Sequence, residues 1–349
     1  MITVKVSVGE AIDKLTILDI KRKNLRNESL EECEREYSNL SESISSSTID
    51  KLLFEYRILR NINQDIFNAL NVIRNDGIAN EKICTHMLNL NDMRFRIKDI
   101  INRKVASAFR EQKTYNKKTA LFVGHCGLGD IINMVGAIRY IALQFDKTYI
   151  AIDNGPKNEK NIKAFFAEDP SIEIVYIDSP GYSLDNYDMV FKCGYYKTDY
   201  IDLTKLADSF YDHLGFDRNI RFSYFNLPQT IGSVNMYEKL KGHKYVFVQQ
   251  KSSNRFTSLI KWDINEILTI DPNINMYPET HEWHALAEAC INNPFLDYID
   301  TIKHASQVHV VDSAFYCLSS QLILDADIKV CYDRMTGNVF AHNGFMESR

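Results

Sequence analysis

The spacing of apolar residues changes near Lys118, and this change limits the possible folds more than any other feature of the chain. Before this point, apolar residues recur at steps of three and four, which predicts amphipathic helices. After it, short apolar runs alternate with helical stretches, which predicts a parallel sheet with helical crossovers. We therefore predict an α/β fold preceded by an all-α helical bundle or coiled-coil domain.

The α/β part falls into two sets of short apolar runs, separated by a stretch of weak periodicity. The first set predicts strands at 120–123, 149–152, 173–177 and 189–191, and the second at 245–248, 274–276, 308–311 and 328–331. Because the chain has 349 residues, it can hold several compact units. The predicted domains are a helical domain at 1–115 and two Rossmann-like halves at 116–228 and 243–349, with a cleft between the halves.

The helical domain begins with Ser7-x-x-Glu10, a pattern that predicts a capping box at a helix N-terminus. Its apolar stripes need a helical partner. That partner is either another helix of the same antiparallel bundle or a second copy of the chain. Self-association through this domain is therefore an expectation.

Charge and composition exclude several classes of function. With 41 Lys and Arg against 46 Asp and Glu, no overall positive field favours nucleic acid. No apolar run reaches the roughly 18 residues of a transmembrane segment, and the first residues lack a signal-peptide core, so we expect a cytoplasmic protein. The seven cysteines form no Cys-x-x-Cys pair, which argues against a structural zinc site or a disulfide framework.

A glycine-rich loop, Gly124-His125-Cys126-Gly127-Leu128-Gly129-Asp130, follows the first predicted strand. One interpretation is a dinucleotide fingerprint, with Asp153 at the end of the next strand as the ribose-binding acid. A second is a tight turn with Asp130 as a helix cap. A third places Asp130 beside a ligand at the cleft. The first would make the protein an NAD(P)-dependent oxidoreductase.

The second half carries polar residues after two of its predicted strands. Hydroxyls, amides and cations in the stretch 249–255, followed by Lys261, suit a diphosphate, although a solvated loop would have a similar composition. Asp312 and Ser313 lie where a helix N-terminus would bind a phosphate or where a cap would sit. Together they favour a nucleotide-sugar site, for which the predicted donor-side residues are Gln250, Lys251, Ser252, Ser253, Arg255, Lys261, Asp312 and Ser313.

Three other patterns could indicate a metal or a cofactor site, and we interpret all of them as structural. Asp325-Ala326-Asp327 follows a predicted helix, at the end of the sheet away from the ligands. His281 and His284 have no third metal ligand nearby in sequence. Tyr237-x-x-x-Lys241 lies between the two halves. We therefore expect neither a metal nor a bound cofactor.

Residues 118–335 resemble the ADP-heptose-type glycosyltransferases, the lipopolysaccharide heptosyltransferase family, in Gly127-Leu128-Gly129-Asp130, Lys261-Trp262 and Asp312-Ser313-x-x-x-x-Leu318. The chain departs from that family at 249–251 and 314–316. The resemblance implies a GT-B fold and metal-independent transfer, with inversion, from a nucleotide sugar to a hydroxyl of a glycan or glycoconjugate. It also implies that Asp130 is the catalytic base, with His125 as the less favoured candidate, and that Lys261, Ser252, Ser253 and Ser313 surround the donor diphosphate.

The helical part resembles a small bacterial family of unknown function over residues 3–115. The likeness lies in the motifs Val6 to Lys21 and Asn91 to Asn102. This resemblance implies a domain boundary and no mechanism. Three functions therefore stay open: a glycosyltransferase, which we favour, an NAD(P)-dependent oxidoreductase, and a non-catalytic oligomeric scaffold.

Overall fold

A computed structural model describes residues 5–76, 80–109, 111, 118–124, 127–152, 156–178, 181–198, 205–252, 256–260, 262–333 and 344–348. The chain divides into two compact units. The first unit contains residues 1–120 and 140–148, and the second contains 121–139 and 149–349. Both predicted Rossmann-like halves therefore lie mainly in the second unit.

Helices occupy the first part of the chain, as the periodicity predicts. They are α1 (Val8–Asn24), α2 (Asn27–Ser43), α3 (Ser46–Lys51), α4 (Leu53–Asp76) and α5 (Glu81–Lys104). The Ser7 hydroxyl accepts a hydrogen bond from the Glu10 amide at 3.1 Å, so Ser7 caps α1 as expected. A separate helical domain and its self-association stay predictions, because residues 140–148 of the α/β part belong to the same compact unit as these helices.

The two motifs of the helical part meet through buried polar contacts. The Asp13 carboxylate, 2% exposed, accepts hydrogen bonds from Arg94 Nε at 2.9 Å and Nη2 at 2.5 Å. The Gly9 amide donates to Asn102 Oδ1 at 2.7 Å. A side chain at Gly9 would meet the Lys98 carbonyl 2.6 Å from its Cβ, so glycine is required where α1 approaches α5. These polar residues therefore determine how α1 packs on α5.

The first sheet has the strand order β3-β2-β1-β4, an arrangement found in Rossmann halves. Its elements are β1 (Thr119–Val123), α6 (Leu128–Ala142), β2 (Lys147–Ile152), α7 (Pro156–Phe165), β3 (Ile172–Tyr176) and β4 (Met189–Lys192). Helix α6 is apolar around most of its circumference, which is typical of a buried helix. Its residues Ile131, Ile132, Val135 and Ile138 are at most 1% exposed.

The second sheet is parallel throughout, in the order β6-β5-β7-β8-β9. Its elements are β5 (Tyr245–Gln249), β6 (Leu268–Ile270), α11 (His284–Glu288), α12 (Ile299–Lys303), β7 (Gln307–Val311), α13 (Ala314–Ser319), β8 (Ile328–Tyr332) and β9 (Met346–Ser348). The chain between the sheets contains α8 (Leu206–Leu214), α9 (Ile220–Ser223) and α10 (Ile231–Leu240). Helix α10 packs on α12, so part of the stretch 229–242, which the predicted bounds leave between the two halves, belongs with the second half.

The predicted strand at 274–276 is wrong, because the strand of this region is β6, at 268–270. Asp271 and Pro272 end it. Proline has no amide hydrogen to continue the ladder, and the Asp271 carboxylate accepts the Asn273 amide at 2.8 Å in a turn. The alternation of the second half also predicts helices at 280–292 and 313–323, and the observed helices are shorter, at 284–288 and 314–319.

In the part of the chain that is described, no helix is both long enough and apolar enough to cross a membrane.

Candidate functional site

Each sheet has one point where the chain reverses the direction in which it adds strands. In the first sheet this switch point lies between β1 and β4, and in the second between β5 and β7. Ligands of open α/β sheets bind at such points, beyond the carboxyl ends of the strands. All the candidate site residues that the structure describes follow β1, β5 or β7, and they therefore lie at switch points.

At the first switch point, the Asp130 carboxylate folds back over Gly127. A Cβ placed on Gly127 would lie only 2.5 Å from Asp130 Oδ2. Helix α6 begins at Leu128, which places this carboxylate in its first turn, where the helix dipole stabilises negative charge. Leu128, Gly129 and Asp130 are all half-buried. A negative group of the protein thus occupies the region where a dinucleotide fold binds pyrophosphate.

Gly129 brings the two halves together. A Cβ at this position would lie 3.1 Å from Cys317 Sγ and 3.5 Å from Ala314 Cα. Both residues belong to α13, which follows Ser313 in the second half. The absence of a side chain at Gly129 therefore lets helix α13 approach closely, and a role of Gly129 beside a ligand stays a prediction.

At the second switch point, a side-chain hydrogen bond joins the last residue of β5 to the chain after β7. The Ser313 hydroxyl donates to Gln249 Oε1 at 2.9 Å and accepts from the Phe315 amide at 3.2 Å. Ser313 therefore caps α13, one of the two roles expected from the sequence. Its neighbour Asp312 is half-buried, and its amide donates to the Tyr332 carbonyl.

Gln250 is buried and pins the loop that follows β5. Its Oε1 accepts from the Leu259 amide at 3.0 Å, and its Nε2 donates to Asp271 Oδ2 at 3.3 Å. Beside it, Ser252 is buried and Lys251 is exposed. Gln250 therefore positions the loop, while Lys251 extends a cation into solvent at this end of β5.

Asp271, at the carboxyl end of β6, is not among the site residues predicted from the sequence. It is 1% exposed and accepts from the backbone and side chain of both Gln250 and Asn273. Burial raises its pKa, and these hydrogen bonds oppose the rise. The sequence does contain a sign of this residue, because Asp271 is an acid directly after the apolar run at 268–270. The strand was predicted at the next apolar run, 274–276, so Asp271 was not recognised as the residue that follows a strand.

This raised pKa leads to a prediction about stability and pH. The carboxyl holds its proton more tightly in the folded chain than in the unfolded chain. The folded state therefore loses stability as the pH rises from 3.8, the ordinary pKa of this carboxyl, through the higher pKa of the folded chain. Asp271→Asn removes this loss. The free energy of unfolding of the variant, minus that of the wild type, should therefore grow with pH over this interval in urea titrations. A difference that stays flat would contradict the prediction.

The three patterns interpreted as structural have partners within the protein. The Asp325 carboxylate contacts His304 Nδ1 at 2.7 Å. Lys241 pairs with Glu238 at 2.9 Å. His284 Nδ1 lies 2.8 Å from the Tyr277 carbonyl oxygen. No group of three or more His, Cys, Asp or Glu side chains able to hold a metal occurs among the described residues.

Several residues of the predicted site lie outside the described ranges. They are His125, Ser253, Arg255 and Lys261, and with them Asp153 of the dinucleotide interpretation. Their roles stay predictions.

Comparison with known proteins finds little. No family model matches the chain. No curated protein matches it either. Among solved structures, E. coli heptosyltransferase WaaC with ADP is similar at 13% sequence identity over 66% of this chain and 91% of that chain, with a TM-score of 0.31. A TM-score of this size does not establish a common fold, so the activity and the ADP describe that protein only.

Proposed function

We propose that the protein is a glycosyltransferase that moves a sugar from a nucleotide sugar to an acceptor hydroxyl. One observation carries the proposal: the glycine loop of the first half packs on the helix capped by Ser313 in the second half. Gly129 contacts α13 directly, and Asp130 is the next residue. Two polar loops that follow strands of different sheets thus lie side by side, as transfer between two bound substrates requires.

The proposed reaction forms a bond from the acceptor oxygen to the anomeric carbon as the bond to the nucleoside diphosphate breaks. Asp130 takes the proton of the attacking hydroxyl as general base. Attack opposite the leaving group inverts the anomeric centre. We propose that Lys251, with Arg255 and Lys261, meets the charge of the departing diphosphate, which would make the transfer metal-independent.

The position of Asp130 favours transfer over nicotinamide chemistry. A pyrophosphate in the first glycine loop would lie beside the carboxylate that folds over Gly127. The carboxylate and the pyrophosphate would repel each other, because both are negatively charged. The same carboxylate suits an acceptor hydroxyl, which it can orient and deprotonate.

The proposal predicts selective stabilisation by nucleoside diphosphates. ADP, UDP, GDP and NAD would each be added to the whole chain, and the thermal midpoint would be measured. A ligand at 100 times its dissociation constant adds about 2.7 kcal/mol to the free energy of unfolding. We expect a rise in the midpoint with at least one diphosphate and none with NAD. A rise with NAD alone would support the oxidoreductase, and no rise with any of them would contradict the proposal.

A matched pair of variants locates the nucleotide. Lys251 and Lys244 are both exposed and flank β5 at its carboxyl and amino ends. Lys251→Glu should weaken diphosphate binding, because it places negative charge in the proposed donor loop. Lys244→Glu makes the same change in charge at the opposite end and should leave binding unchanged. Equal effects of the two variants would exclude this donor site.

A further inference from the structure

The face of α6 that carries the site is built from small and polar residues, unlike the rest of the helix. Gly129, Asn133 and Gly136 recur at steps of four and three, so they share one face of α6. A Cβ at Gly136 would lie 2.6 Å from the Ile220 carbonyl oxygen, so α6 touches the backbone of α9 there. This face therefore contacts α13 at one end and α9 at the other, with Asn133 between them.

Every polar group of the Asn133 side chain has a partner on another element. Its Oδ1 accepts from Arg221 Nη2 on α9 at 2.8 Å, and its Nδ2 donates to Cys317 Sγ on α13 at 3.4 Å. The backbone carbonyl oxygen of Asn133 accepts from the Tyr211 hydroxyl on α8 at 2.9 Å. Gln321 adds a second link from the end of α13, donating to the Ile132 carbonyl at 3.2 Å. Asn133 thus joins α6 both to α8 and α9, in the chain between the sheets, and to α13 of the second half.

Arg221 is a costly residue in this position. Its side chain is 2% exposed, and its Nη1 lies 4.0 Å from the nearest oxygen of Asp208. Burial lowers the pKa of its guanidinium. An apolar side chain of similar volume would fill this space without the desolvation cost of a buried cation. Packing alone therefore does not explain an arginine here, and its hydrogen bond to Asn133 is one polar contact that an apolar side chain could not make.

We infer that Asn133 and Arg221 are positioning residues, which hold the Asp130 turn of α6 against α13 at the donor loops. The inference rests on the proposed transferase function. Arg221 orients the side-chain amide of Asn133. Asn133, which lies one helical turn from Asp130 on α6, in turn holds Cys317 of α13. Neither residue needs to touch a substrate. Loss of either would let the base move relative to the donor, and a shift of about 1 Å can cost about 100-fold in rate.

The first experiment measures the contact between Asn133 and Cys317 and needs no substrate. Iodoacetamide would be added to the whole folded chain, and the alkylation of Cys317 and of the exposed Cys84 would be followed separately by mass spectrometry. Burial raises the pKa of Cys317 to about 12, so its reaction should be slow in the wild type. Asn133→Leu and Arg221→Met should each speed alkylation of Cys317 about 5- to 10-fold, the effect of one lost hydrogen bond on a local opening equilibrium. Cys84 should not change.

The second experiment separates positioning from stability. Release of nucleoside diphosphate from the preferred nucleotide sugar would be measured, with water as acceptor where no glycan is accepted. Asn133→Leu and Arg221→Met should lower kcat about 10- to 100-fold and leave the donor KM within about threefold. Arg221→Lys, which keeps one donor toward Asn133, should recover part of the loss. Arg218→Met is the matched control, because Arg218 lies close to Arg221 in the chain between the sheets and is exposed.

The outcomes distinguish this inference from the function on which it rests. If the wild type is active, but Asn133→Leu folds with unchanged kcat and unchanged Cys317 reactivity, the inference is wrong and the transferase stands. If Arg221→Met fails to fold, Asn133→Leu and Arg221→Lys still decide. If the wild type releases no diphosphate from any nucleotide sugar, the proposed function and the positioning role both fail, and the alkylation rates report only the contact.

Discussion

Asp130→Asn is expected to lower turnover about 10²- to 10⁴-fold, the range that general base catalysis contributes. Asparagine has nearly the same shape and still fits beside Gly127, where the aspartate carboxylate now lies. It cannot accept the proton of the acceptor hydroxyl. The proposed donor site belongs to the other half, so the dissociation constant of the nucleoside diphosphate should stay within about twofold of the wild type. Diphosphate release and calorimetric titration measure the two effects.

Asp185→Asn provides the control for this prediction, because Asp185 is an exposed acid of the same half, in the turn Leu184–Asn186. It should leave both turnover and binding unchanged. Turnover retained by Asp130→Asn would remove Asp130 as base and leave His125 as the candidate. A loss of diphosphate binding together with turnover would mean that the glycine loop belongs to the nucleotide site.

Asp169→Asn is expected to lower the free energy of unfolding by about 3 to 5 kcal/mol, the cost of leaving a buried charge without its partner. Asp169 forms an ion pair with Arg139 of α6, and each side chain is 8% exposed. Arg139 also donates to the carbonyl oxygens of Phe165 and Asn226, both at 3.1 Å. These neutral acceptors cannot balance its charge once the carboxylate is removed. Arg139 therefore needs Asp169 to hold α6 to the chain that leads into the second half.

Urea titration followed by tryptophan fluorescence measures this loss, because both tryptophans of the chain, Trp262 and Trp283, lie in the second compact unit. Asp212→Asn is the control. It breaks the ion pair with Arg218, in which both side chains are about half exposed, and solvent weakens such pairs. The control should therefore cost far less. A comparable loss in the two variants would mean that the buried pair contributes no more than a surface pair.

Periodicity predicted the elements whose cores are continuous apolar runs. Strands β1, β5 and β7 lie within one residue of their predicted bounds, since a strand buried on both faces needs apolar residues throughout. The strand predicted at 274–276 failed, because that run is as apolar as β6 and only the turn at Asp271 and Pro272 distinguishes them. No helix is found among the described residues between β5 and β6, although alternation predicts a crossover there.

The residues of the candidate site also divide into those that the sequence predicted and those that it did not. Residues that directly follow apolar strands were predictable, because parallel strands bring their carboxyl ends to one edge. Asn133 and Arg221 were not. They are 88 positions apart in sequence, and each looks like an ordinary polar residue until packing places them 2.8 Å apart. The spacing of Gly129, Asn133 and Gly136 on an otherwise apolar helix was the one local sign.

The sequence by itself determined the α/β class, the helical first part of the chain, most strands of the two sheets, and the glycine loop that ends in Asp130. These follow from local spacing, because burial and backbone freedom act residue by residue along the chain. Only the tertiary structure decided what the loop contacts: Asp130 folds over Gly127, and Gly129 admits α13. The contact of Gly129 with α13 depends on how closely distant backbones approach, and no local pattern specifies that distance.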